Sequence, residues 1–518
     1  MVGKKDEEPL VGIADHRAEP IRPTRYVTVD EILPYIGEFG RYQLLQTTFL
    51  CLINLSITFS MLITYFGALD SPWQCKDNST ICTLNGTFVA GNENYEDRCW
   101  MSRDEWSFSL PKEFSIVTYF DLFCDTYWLA DLASSVYFVG WICGGWIVGC
   151  LADRYGRHAV LFSSTAVTLA GTLLSAFSPN IWVLIASRFL VGACFTGSGV
   201  QGYILLTEMV GQRHRATVGN IYWIFNNIAM MSLSLIAFYV REWKMLFIFC
   251  SAPYIFVLGF AFLVPESVRW LHVTGESDKA MRSLKTVAKW NKKKIPEEFV
   301  LHSVKRDICS KKPGISDLFK TKNLAKITLL DGYSWIACNM GFYGLNMAAG
   351  NLGGSLYLNF CLLMLVEVPA NILAIFTCNK FGRKKTVIIC TFLTSVACLS
   401  LAVIPCVQPW IIWRTVVAVV GKGWITMGYH SKFVWTSETY PTTLRSTACG
   451  IMLSLAPIGG SCAPWISLYS ARLHESVPFV IIGLTTLIAA ILMTRVPDTW
   501  GKATVEDEIL VKEPAVAI

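Results

Sequence analysis

Charge is scarce in this chain of 518 residues: 16% are Asp, Glu, Lys or Arg against 53% hydrophobic, and the mean hydropathy is +0.45. So much apolar surface does not fit inside one soluble core, which excludes an ordinary globular protein. The sequence also lacks a GxxxxGK[ST] phosphate loop, an HExxH zinc motif and a soluble stretch long enough for a catalytic domain. An enzyme or ATP-driven pump is therefore not expected, and no cofactor, metal or nucleic acid is implied. Residues 1–45 mix acidic, basic and proline residues without an apolar core, so no cleavable signal peptide is expected and the first membrane helix has to direct insertion. Val2 and the final Pro514-Ala515-Val516-Ala517-Ile518 give lipid anchoring no support.

What is present is a series of nearly uncharged stretches of about 20 residues, the length that crosses a bilayer as a helix. Twelve are expected, at 47–68, 130–150, 159–178, 181–203, 217–239, 244–264, 326–347, 354–376, 386–406, 409–432, 448–470 and 477–495. The expected fold is all-α and integral to the membrane, with two six-helix pseudo-repeat bundles at 47–264 and 326–495. A tail at 1–46, an inter-bundle loop at 265–325 and a tail at 496–518 complete the division. The links around Arg154, Arg215 and Arg383 and the stretch 266–326 are basic and fall on one side if the helices alternate, which assigns that side and both termini to the cytosol. Lys292-Lys293-Lys294 and Lys311-Lys312 in that stretch suit an anionic leaflet, although a solvated linker is the plainer reading.

The link 69–129 falls on the opposite face and holds Cys75, Cys82, Cys99 and Cys124 beside two glycosylation acceptors, Asn78-Ser79-Thr80 and Asn85-Gly86-Thr87. Together they point to an oxidising outer compartment, at the plasma membrane. Four cysteines allow three pairings, and the sequence leaves all three open.

Three charged motifs occur once in each half. Asp153 and Asn379, Glu208 and Glu438, and Pro265 and Pro497 are separated by 226, 230 and 232 residues. In the first motif Asp153, Arg154 and Arg157 recur as Asn379, Lys380 and Arg383, with Gly145 and Gly149 expected to let helices pack closely. In the second, Arg215 follows Glu208 by seven residues as Arg445 follows Glu438, so ion pairs within a half or between the halves are expected to latch one conformation. Such duplication is how alternating-access transporters are built.

Gly149 to Arg157, Arg188 with Gly192, Pro265-Glu266-Ser267-Val268-Arg269-Trp270, Glu438-Thr439-Tyr440-Pro441-Thr442 with Arg445, and the cysteine-bearing loop before Phe123-Cys124-Asp125 resemble the organic cation/anion/carnitine branch of the major facilitator superfamily. The resemblance runs from about Val29 to Gly501. It implies two six-helix bundles that rock around a central site for a small organic ion.

Ionisable residues inside spans are costly and mark cavities or partners. Glu367, in a Val-Glu-x-Pro setting where the resembling branch has a cavity acid, is either a charge partner for solute or half of an ion pair with span ten. Asp331, Trp335, Asn339 and Phe342 fall on one face of span seven, and Trp335 coincides with a cavity tryptophan of the resembling transporters. Tyr343 and, in span five, Asn226 join these candidates. In span ten Lys422, Thr426 and His430 share a face, whereas Lys432 points away and is expected to snorkel to the rim. The resembling cation transporters carry an Asp and the anion transporters an Arg where this chain has Pro457, which selects neither charge. The favoured reading is a secondary transporter of organic cations or zwitterions. Organic anion transport, or a receptor on the same scaffold, is the alternative.

Overall fold

The computed structural model describes residues 25–77, 79, 81–89, 94–296, 298–301, 315–441, 444–469 and 474–499. The chain is built of long apolar helices in two sets. The first comprises α1 (Arg41–Gly67), α2 (Trp128–Tyr155), α3 (Arg157–Ala176), α4 (Ile181–Glu208), α5 (Gln212–Tyr239) and α6 (Trp243–Gly259). The second comprises α7 (Lys322–Met347), α8 (Leu356–Phe381), α9 (Arg383–Val403), α10 (Ile411–Thr439), α11 (Arg445–Pro464, continued by a wide turn over Trp465–Tyr469) and α12 (Val477–Met493). With a rise of 1.5 Å per residue, the 27 residues of α1 extend about 40 Å, enough to cross the hydrocarbon core. Phe249, Ile255, Phe376 and Ile412 are each more than half exposed on the outside of the bundle, a surface that lipid covers and water would not.

The two sets pack alike. The pairs α1–α5, α1–α6, α2–α4, α3–α4 and α3–α6 are matched by α7–α11, α7–α12, α8–α10, α9–α10 and α9–α12. Between the sets, α2 meets α11 and α5 meets α8, again equivalent contacts. The twelve-helix, two-bundle fold read from the sequence is therefore the fold observed. Each first motif turns at a glycine in the left-handed region, Gly156 with φ +100° and Gly382 with φ +86°, where a side chain would be strained.

Close helix packing occurs elsewhere than expected. A Cβ on Gly149 would meet nothing within 4 Å, and one on Gly145 would lie 3.5 Å from Thr196 Oγ1, an ordinary contact. The tight crossing of α2 and α4 is made by Gly140, Gly144 and Gly192, where a Cβ would collide with the carbonyl oxygens of Phe189, Ala193 and Tyr137.

The loop between α1 and α2 is folded. Trp73–Cys75 pairs antiparallel with Trp106–Phe108 over a core of Trp73, Phe88, Tyr95 and Trp106. Of the three pairings the sequence allows, the structure has Cys75–Cys82 and Cys99–Cys124. Asn85 is exposed; Asn78, Thr80, Thr442, Lys311 and Lys312 lie outside the described residues.

The stretch after α6 is not a bare solvated linker. It forms helices Val268–Val273 and Ser277–Trp290 and a strand Phe299–Leu301 that pairs, parallel, with Arg25–Val27. With the short helix Val29–Ile36 these enclose a core including Val27, Ile32, Leu284, Val287 and Phe299. Asp30 ties this module to the bundle through Arg215 of α5, at 2.6 Å, and within the module it pairs with Arg269.

Candidate functional site

The face of α7 predicted from sequence does gather polar and aromatic groups, and it turns them toward α10. Asp331 and Lys432 form an ion pair at 2.6 Å, and Lys432 also donates to Ser334 Oγ. Thr436 Oγ1 donates to Asp331 Oδ2 at 3.1 Å and accepts from Trp335 Nε1 at 3.0 Å. Asn339 Nδ2 donates to Tyr429 Oη at 3.2 Å, and the Phe342 ring stacks on Tyr429 with centroids 5.3 Å apart. Lys432 is fully buried rather than snorkelling. The sequence-based span ended at 432, whereas α10 continues to Thr439, so this lysine sits inside the helix and needs a buried partner.

A second buried pair lies nearby. α8 is interrupted between Leu365 and Glu367, where Pro369 removes a backbone donor, and Glu367 opens the second segment. Its carboxylate is 2.8 Å from Lys422 Nζ, and both side chains are sealed from solvent. Lys422 also donates to the Phe342 carbonyl at 3.0 Å and lies 3.2 Å from the centroid of the Phe342 ring. Of the two readings of Glu367, the geometry has the ion pair with span ten. In this conformation the charge is spent on Lys422.

The remaining candidates are dispersed. His430 is half-buried and its Nδ1 lies 2.9 Å from the Thr426 carbonyl, which only accepts, so Nδ1 carries the proton. Its ring is 6.1 Å from Trp223 on α5, across the boundary between the sets. Tyr343 Oη donates to Met61 Sδ at 3.7 Å, joining α7 to α1, and Asn226 Oδ1 accepts from Thr58 Oγ1 at 2.6 Å within the first set. Pro457 is buried in α11, two residues before Gly459, whose Cβ would collide with the Ile336 carbonyl of α7. Sequence reasoning missed Trp141 and Phe195, half-buried with ring centroids 4.1 Å apart, and Tyr429 and Trp223. None carries a charge that would distinguish it from other aromatic residues in apolar spans.

The two ends of the molecule differ. Toward the disulfide-bonded loop the sets close on each other: Tyr65 stacks on Phe360 at 6.0 Å, Phe66 on Tyr357 at 5.9 Å, and Ser234 Oγ donates to the Tyr357 carbonyl at 2.9 Å. Toward the charged motifs they diverge, because α5 packs on Leu356–Leu365 far more than on Glu367–Phe381.

The expected Glu208–Arg215 and Glu438–Arg445 pairs are not formed. Glu208 accepts from Ser267 Oγ, and Glu438 accepts from Thr499 Oγ1 at 2.8 Å, so each second motif binds the third motif of its own half. Glu438 also pairs with Arg383 at 3.2 Å, Asp153 pairs with Arg157 at 3.0 Å, and Arg215 reaches Asp30 instead. All of these contacts stay within one half. Arg154 is exposed beside the Tyr155 ring, while Nε and Nη2 of Arg445 are buried without a hydrogen-bond partner. The seven-residue spacing is a repeat of local sequence; which carboxylate meets which guanidinium is set by the elements folded against it. Glu266 adds a contact the sequence did not suggest, accepting from the backbone N–H of Arg157 at 2.8 Å and of His158 at 3.1 Å at the start of α3.

Comparison with known proteins agrees with this architecture. Residues 51–508 match the family model described as sugar (and other) transporter. The bovine solute carrier family 22 member 1 is 30% identical, with 93% of this chain and 92% of that protein covered. The Drosophila organic cation transporter-like protein is 27% identical, covering 92% and 91%. Among solved structures, the xylose transporter XylE of E. coli in an inward open conformation superposes with a TM-score of 0.63 at 14% identity, covering 89% of this chain and 98% of that one.

Proposed function

Because the chain belongs to the sugar (and other) transporter family and to solute carrier family 22, we propose that the buried Glu367–Lys422 pair and the aromatic wall beside it form a solute site for small organic cations or zwitterions. The protein is a membrane transporter rather than an enzyme, and its substrate is a small molecule. The observation that carries the proposal is the pair itself: two opposite charges held at 2.8 Å, their side chains sealed from the protein surface, beneath Phe342. A zwitterion inserted between them replaces the lost attraction with two new ones, while a cation competes for Glu367 alone. Organic anion transport is the second reading, favoured by Lys422 and His430 and by the absence of an acid at Pro457.

The halves meet at the end bearing the disulfide loop and part at the end bearing the basic motifs. With the basic face in the cytosol at the plasma membrane, and both termini there, this is an inward-facing state. Asp153, Arg154, Arg157, Glu208, Arg215, Arg383, Glu438 and Arg445 then stabilise the cytosolic end of each half. The exposed Arg154, and Asp153 once it exchanges Arg157 for another partner, can reach the other half when that end closes. A receptor would gain nothing from keeping equivalent clusters in both halves.

Uptake of labelled cations, anions and zwitterions by Pro457 variants tests the charge preference. An added charge within about 4 Å of solute contributes up to ~4 kcal/mol at an effective dielectric of 20, before desolvation. Pro457→Asp is expected to shift selectivity toward permanent cations and Pro457→Arg toward anions, each by roughly tenfold or more, relative to Pro457→Ala. One common profile for all three would remove residue 457 from the site. The outer loop is expected to be glycosylated: glycosidase treatment should lower the apparent mass, and Asn78→Gln with Asn85→Gln should abolish the shift. An unshifted wild type from animal cells would contradict the assigned topology.

A further inference from the structure

Helix Ser277–Trp290 carries a charge pattern that solute transport does not use. Its buried residues Ala280, Leu284, Val287 and Ala288 face the core of the cytosolic module, while Arg282, Lys285 and Lys289 are exposed on the other side and Lys292, Lys293 and Lys294 follow, also exposed. The position of this second cluster is fixed by Asn291. Its Oδ1 accepts from the Tyr42 N–H at 2.9 Å, and its Nδ2 donates to the Ile36 carbonyl and to Gln43 Oε1, each at 2.8 Å. Tyr42 is the second residue of α1, so the lysines are pinned where that helix enters the membrane.

Two independent features point to a ligand there. Trp290 is 51% exposed, with its ring 6.3 Å from that of Tyr42, at the level where indole and phenol rings settle among headgroups. Lys292 has φ +55°, in a helix end closed by Lys293 N–H donating to the Ala288 carbonyl at 2.8 Å. Glycine is the usual residue at that turn because it adopts the left-handed conformation without steric cost. A lysine there accepts that cost and adds a third adjacent positive charge.

We propose that Lys289, Trp290, Lys292, Lys293 and Lys294 form a docking site for the anionic headgroups of the leaflet at this end of α1. The charge complementarity is direct: a cluster of lysines beside an apolar edge meets phosphate and carboxylate groups above acyl chains. The name of the leaflet, cytosolic, rests on the topology proposed above.

The test uses the purified full-length protein exposed to equal amounts of phosphatidylserine and phosphatidylcholine in detergent, with the lipids retained read by native mass spectrometry. Wild type should retain phosphatidylserine preferentially. Lys292→Gly, which relieves the backbone while removing one charge, should lower the serine-to-choline ratio by roughly fivefold. Asn291→Ala should lower the ratio with every lysine still present. An unchanged ratio in Lys289→Gln/Lys292→Gly/Lys293→Gln/Lys294→Gln, with thermal melting as in wild type, would overturn the proposal. Modification of these lysines by an impermeant amine reagent outside intact cells would overturn the choice of leaflet. Solute uptake by the quadruple variant in phosphatidylcholine proteoliposomes reports on transport separately, so a lost lipid preference with retained uptake supports the docking site and leaves the transport reading standing.

Discussion

Glu367→Ala, with Lys422 left in place, is expected to abolish transport of every charged solute and to lower stability by about 3–5 kcal/mol, the cost of stranding a buried charge without its partner. Lys422 and Glu367 are 0% and 1% exposed, and among the described residues the other contacts of Lys422 are a carbonyl and the Phe342 ring, neither of which neutralises it. The double variant Glu367→Gln/Lys422→Met separates structure from recognition. Removing both charges takes away the desolvation penalty together with the attraction, so thermal stability in detergent should return close to wild type. If the pair binds solute, the rescued protein still fails to move zwitterions and permanent cations. Restored uptake with unchanged solute preference would make the pair purely structural and move the site to the half-buried aromatic residues Trp141, Phe195 and Tyr429.

Gly144→Ala should prevent accumulation at the cell surface, whereas Gly149→Ala five residues on should be close to silent for stability. The added methyl at Gly144 runs into the backbone carbonyl of Ala193, and no rotamer change relieves a clash with main chain. α2 and α4 then have to separate along their whole crossing, at a cost of roughly 3 kcal/mol or more, the upper end of the range for an overpacked core. At Gly149 the same methyl meets nothing within 4 Å. Surface biotinylation and melting temperature of the two variants read the contrast directly, and equal behaviour would contradict the assigned helix crossing.

The sequence showed clearly what is repeated or long. Uncharged stretches of bilayer length and three motifs recurring at nearly constant separation foretold the twelve helices and their equivalence, because both signals survive without knowledge of packing. Partners across helices left no such trace. Lys432 and Asp331 are 101 residues apart, and a helix end placed seven residues short made the lysine look like a rim residue. Glu208 and Glu438 each have an arginine seven residues on, yet they accept from Ser267 and Thr499, 59 and 61 residues away. The three-residue strands Arg25–Val27 and Phe299–Leu301 are too short for any alternating pattern, so the module that ties the N-terminal segment to the loop after α6 was invisible as a folded unit. The glycines of α2 show the same limit: there are four, at positions 140, 144, 145 and 149, and only the path of α4 decides which are crowded.

The central claim is that one organic-ion site is reached alternately from the two faces of the membrane. Counterflow in proteoliposomes tests it most directly. Vesicles containing the purified protein are preloaded with an unlabelled zwitterionic or cationic solute, and entry of the labelled solute is followed with no ion gradient imposed. The account predicts a transient accumulation of label above equilibrium that needs internal solute and disappears in Glu367→Gln/Lys422→Met. Absence of counterflow for cations, zwitterions and anions alike, from protein that melts as a folded species, would contradict it.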